Sequence, residues 1–124
     1  MADQGISWVD VRISHKAEPG DKVSIRYRAS FPHSAPGVYF DIIKESETPY
    51  KFTLGRNKVI EGLERGLQGM QVGGVRRITL DPKLAFKDAG VEGKVPPNST
   101  VIYEVELVKL VKRVWHRHKE WTSL

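Results

Sequence analysis

The sequence predicts an α+β fold: a single antiparallel sheet covered on one face by one short helix. Two segments, "KVSIRYRAS" and "TVIYEVELVKL", alternate apolar and polar residues with the period of half-buried strands. One segment, "LGRNKVIEGLERGLQGM" from Leu54 to Met70, instead spaces its apolar residues as a helix does. Glycine and proline punctuate the connections, and the order of elements is mostly β with the helix in the middle.

Residues 1–6 are expected to fray, and "WVDVRIS" follows as a strand with Val9, Val11 and Ile13 on one side. "PGDK" is a turn. In "KVSIRYRAS" Val23, Ile25, Tyr27 and Ala29 face inward while Ser24, Arg26 and Arg28 face water. "FPHSAPG" is a loop, and "VYFDII" a short extended piece followed by the polar loop "KESET". "PYKFTL" alternates again, with Tyr50, Phe52 and Leu54 inward.

The helix is expected next, with Asn57 as its N-cap. Val59, Ile60, Leu63, Leu67 and Met70 share one side of it, and Glu61, Glu64, Arg65 and Gln68 the other. Gly62, Gly66 and Gly69 flank the apolar side, each costing about 1 kcal/mol of helix propensity relative to alanine. Such a helix is useful only where side chains must be absent, so that its backbone can approach the sheet closely. "VGG" then turns the chain, and "VRRITL" is a strand. "DPKLAFKDAGVEGKVPPNS" is a long loop, and the last strand carries Val101, Tyr103, Val105 and Leu107 on one side.

The 124 residues suffice for one domain with a modest core. There is no cysteine, which excludes disulfides and thiolate chemistry. "MADQGISWVD" lacks the basic and apolar regions of a secretory signal, and no run approaches the roughly 20 apolar residues of a membrane span. A cytoplasmic or nuclear protein is the expectation. The net charge of +5 favours acidic partners in principle. Much of it lies in "VKRVWHRHKEW", and neither zinc-finger spacing nor an aromatic RNA-binding signature accompanies it.

"PYKFTLGRNKVIEGLERGLQGMQVGG" followed by "VPPNSTVIYEVELVKL", with "YFD" upstream, resembles the FKBP-type peptidyl-prolyl cis–trans isomerases, the macrolide-binding immunophilins. The likeness runs from about Gly20 to Leu110. It implies a twisted antiparallel sheet wrapped around a short helix, with a substrate pocket between them. It places catalytic positions on Tyr27, Phe40, Asp41, Phe86 and Tyr103, and substrate-binding positions on Tyr50, Val59, Ile60, Leu63 and Val95. Without the family these aromatic and aliphatic residues read as core, and Phe52 is core either way. Asp41 is the informative one, since an acid between Phe40 and Ile42 has no packing reason to be there. The resemblance implies an isomerase that acts in protein folding, in the manner of a chaperone, on proline-containing peptides or proteins. It implies a monomer, with neither cofactor nor metal.

Departures from the family's pattern at two pocket positions and in one loop predict slower isomerisation, an altered substrate preference and weaker binding of tacrolimus or rapamycin. Leu63 stands where the pocket floor is usually tryptophan. Phe86 replaces a loop tyrosine whose hydroxyl contact with a bound carbonyl is worth about 1 kcal/mol. Lys87 and Lys94 replace a glycine and an aliphatic contact. The alternative is a binding module that keeps the fold with little or no isomerase activity.

The isomerase domain is therefore expected over residues 1–110, with a basic, tryptophan-containing extension over 111–124. There Val111, Val114, Trp115 and His118 share one helical side. Either Trp115 and Trp121 cover an apolar patch of the domain, or the extension begins a further segment. The competing reading is a basic helix that binds an acidic partner or a membrane surface. His116 and His118 point apart on a helix, so a metal site there, or at His15 or His33, is not expected.

Overall fold

The computed structural model describes Gly5 and residues 15–113. The expected strand at 8–14 and the extension from residue 114 on, with Trp115, His116, His118 and Trp121, lie outside the described residues. Strand β1 (Lys22–Ser30) is followed by β2 (Asp41–Ile42), β3 (Tyr50–Thr53), helix α1 (Glu61–Gly66), β4 (Val75–Leu80) and β5 (Val101–Val111). The sheet runs β2-β1-β5-β4, with β3 also paired to β1, and every pairing is antiparallel. β1 therefore divides one edge between two short partners. Residues 22–25 pair with β3, and Arg28 and Ala29 pair with β2.

The inward residues of the long strands form the core as the alternation predicts. Val23, Ile25, Val101, Val105 and Leu107 are buried, and Leu54 and Leu67 close over them. Ser24 departs from its expected place in water and is buried. It sits at a register shift: Ser24 faces Lys109 and Ile25 faces Leu107, so β5 carries an extra residue there and its own alternation changes phase.

The helix is much shorter than Leu54–Met70. Asn57 is not its N-cap, for its φ is +54°, whereas a capping residue is extended; Ile60 takes that position without a side-chain bond. Glu64, expected on the wet side, is buried and turned back on the approach to the helix. Its Oε1 accepts from the Gly55 N–H at 2.7 Å and its Oε2 from the Lys58 N–H at 3.1 Å. That carboxylate fixes the loop over 55–60 and so sets Val59 and Ile60 beside the sheet.

Two of the three glycines do mark close approach. A Cβ on Gly62 would meet Leu80 Cδ1 at 2.5 Å, and one on Gly66 would meet Ile78 Cδ1 at 2.6 Å. Gly69 differs: nothing lies within 4 Å of its Cβ position, and its φ of +85° marks it as a turn residue. Its N–H donates to Ala17 O at 2.8 Å.

β5 runs one residue beyond the expected boundary, and the next two residues are tied to the domain. Lys112 Nζ reaches Asp21 Oδ2 at 2.6 Å, Glu18 Oε1 at 2.8 Å and the Lys16 carbonyl at 2.7 Å. The Arg113 N–H donates to Asp21 Oδ1 at 2.7 Å. Among the described residues no helix is long and apolar enough to cross a membrane.

Candidate active site

The site lies where α1 and its approach meet the inner face of β1 and β5. β1 points Ile25 and Tyr27 into this space because both share its inward period. Tyr103 of β5 lies opposite Ala29, and its ring centroid is 5.3 Å from that of Tyr27. β2 supplies Asp41, held in place by pairing with Ala29 and by the Phe40 N–H donating to Ala29 O at 2.8 Å. From the other side come Val59, Ile60 and Leu63. The loop after β4 contributes Phe86.

Together with Ile43 and Tyr50, these residues line a hollow of about 260 Å3. The positions implied by the resemblance fall there, Phe40 and Val95 excepted. Phe40 stands beside the hollow, edge-on to both Phe86 (centroids 6.3 Å apart) and Tyr103 (6.2 Å) and stacked on Phe31. Val95 does not line the hollow. It is buried in the core, and its backbone N–H and C=O both bond Val91, closing the turn over 91–95. Tyr50, expected inward, is 42% exposed and stacks on the buried Phe52. Ile25 and Ile43 were not singled out from the sequence. Ile25 could have been, as it shares the inward period with Tyr27, and Ile43 stands two residues after Asp41 in an extended piece.

Among the described residues, Asp41 is the one acidic or basic side chain lining the hollow. The Tyr27 hydroxyl donates to its Oδ2 at 2.9 Å, and Lys94 Nζ lies 3.4 Å from the same oxygen. Burial pushes the Tyr27 phenol well above its ordinary range, and its bond to the Asp41 carboxylate pushes it further. Burial, then the charge on Asp41, does the same to Tyr103. Tyr27 is thus a fixed donor at physiological pH, orienting the carboxylate at the wall of an otherwise apolar recess. No group of three or more His, Asp or Glu side chains that could hold a metal occurs among the described residues.

Such a recess, apolar within and with one oriented carboxylate in its wall, is of the concave kind that takes up small apolar groups. The chain belongs to the FKBP-type peptidyl-prolyl cis–trans isomerase family, whose pattern it matches over residues 14–108. It is 40% identical over 93 residues to the peptidyl-prolyl cis-trans isomerase FPR2 of Saccharomyces cerevisiae, covering 75% of this chain and 67% of that protein. It is 39% identical over 89 residues to FK506-binding protein 1A of Neurospora crassa, covering 72% of each. With the peptidyl-prolyl cis-trans isomerase FKBP15-3 of Arabidopsis thaliana it shares 40% identity over 95 residues, 77% of this chain and 64% of that one.

Proposed function

We propose that the protein accelerates cis–trans rotation of X–Pro bonds through this hollow, more slowly than family members with a tryptophan floor. The planar amide is held by resonance, with a barrier of about 18–20 kcal/mol to rotation. Twisting removes the resonance and with it much of the charge separation between carbonyl and nitrogen. A water-poor, apolar site favours the twisted form over the planar one, and that difference is catalysis. Ile25, Val59, Ile60, Leu63 and Tyr103 provide the apolar surface, with Phe40 beside it. Asp41, oriented by Tyr27, provides a fixed charge beside the rotating group. The observation carrying this reading is the 260 Å3 recess with its single carboxylate.

Leu63 leaves the floor wider than an indole would, and Phe86 has no hydroxyl to offer a bound carbonyl, so proline clients and macrolides such as tacrolimus or rapamycin bind weakly. The same two residues favour the second reading, a client-binding module with little turnover. NMR exchange on a Leu-Pro peptide separates the two. A rate above that in buffer supports the isomerase, and a rate equal to buffer with clear peptide binding leaves only the module.

A further inference from the structure

We infer that Lys94 sets substrate preference, selecting clients with an acidic side chain within two residues of the proline. This rests on the isomerase reading above and names the substrate class of the same hollow. Lys94 sits on the turn over 91–95, whose two ends are pinned by reciprocal Val91–Val95 backbone bonds of 2.8 Å each and whose base, Val95, is buried. The turn also lies directly on Gly90, where a Cβ would collide with the Val95 carbonyl oxygen and meet Pro96 C at 2.9 Å. The backbone that carries Lys94 is thus held firmly, and its ammonium reaches Asp41, which lines the hollow.

There it pairs with Asp41 at 3.4 Å, and the cation is the more exposed partner, 45% against 32%. Asp41 alone would draw basic side chains to the mouth. With Lys94 over it, the pair turns its positive end to solvent. An ammonium has three donors, and a single oxygen of Asp41 at 3.4 Å engages at most one of them. The others remain for a client carboxylate. The pair is half-exposed, so the preference is modest and weakens with salt.

The test uses Leu-Pro peptides with Glu, Gln or Lys at the position after proline or two before it. Isomerisation is measured by NMR exchange for the wild type, Lys94→Arg, Lys94→Ile and Lys94→Glu. Lys94 is solvent-facing, so all variants are expected to fold, with a thermal unfolding midpoint confirming it. The wild type should turn over the Glu peptides about two- to fivefold faster than the Lys peptides, as expected of one half-exposed ion pair. Lys94→Arg should keep that ratio, Lys94→Ile lose it and Lys94→Glu invert it. Equal ratios in wild type and Lys94→Ile overturn the inference while leaving the isomerase reading intact. Should the wild type accelerate no peptide, the isomerase reading fails instead. Binding of the same peptides by amide chemical shifts then decides the inference, supporting it if Glu peptides bind tighter only when residue 94 is basic and overturning it otherwise.

Discussion

Gly62→Ala tests whether the glycines of α1 are there for contact with β4. The new Cβ would lie 2.5 Å from Leu80 Cδ1 and 2.9 Å from its Cγ, with Cδ2 closer still. Leu80 is 4% exposed, packed in the core, so it cannot swing clear. Overpacking of this kind costs about 1–3 kcal/mol, against about 1 kcal/mol gained in helix propensity. The net is a destabilisation of up to about 2 kcal/mol. Gly66→Ala is the control. Its Cβ meets the tip of Ile78, Cδ1 at 2.6 Å, and the remaining atoms lie at 3.3 Å or more. Ile78 is only partly buried, so a side-chain rotation relieves the contact and the helix gain survives. Urea denaturation at fixed protein concentration measures both. A Gly62→Ala protein as stable as Gly66→Ala would refute the close-approach argument and leave the poor helix unexplained.

Phe86→Tyr restores a hydroxyl at the mouth and should tighten tacrolimus about fivefold by titration calorimetry, the equivalent of about 1 kcal/mol. Tyr27→Phe removes the bond that orients Asp41 and should lower kcat/KM on a Leu-Pro peptide about fivefold with little change in fold stability. Asp21 is an acid test of the tie at the end of β5. Burial alone would raise its carboxyl, but Lys112 Nζ and the N–H groups of Arg113 and Glu18 outweigh that and hold it below the ordinary carboxylate value. Its contribution is therefore complete above about pH 4 and is lost as pH falls through the lower folded value. Asp21→Asn should cost about 1–3 kcal/mol at neutral pH, and the urea midpoints of variant and wild type should converge as pH falls below the ordinary carboxylate value.

The strands were legible because inward side chains recur every second residue, and "KVSIRYRAS" became β1 with its predicted bounds. Beside the step where β5 carries an extra residue, Ser24 is buried against its expected place, and the reading fails there. The helix was legible, but its extent and its cap were not. Its apolar spacing was real, but Val59 and Ile60 reach the hollow from extended backbone before α1, and Glu64 is spent on holding that approach. The spacing that marks a helical face marks equally well a chain that lies across a sheet and only briefly coils. Most of the hollow followed from the family pattern carried by "YFD" and the helix start. The meeting of Lys94 with Asp41 did not, because an ion pair between a short strand and a turn far apart in sequence leaves no periodic trace.

The central claim is that a water-poor recess favours a half-rotated prolyl amide. It is tested most directly by NMR exchange on a Leu-Pro peptide with the wild type, Phe40→Ala and Asp41→Ala at equal concentration. Interconversion faster than in buffer with the wild type, falling back to the buffer rate in both variants, is the predicted result. A wild type no faster than buffer, or a Phe40→Ala protein as fast as the wild type, would contradict it.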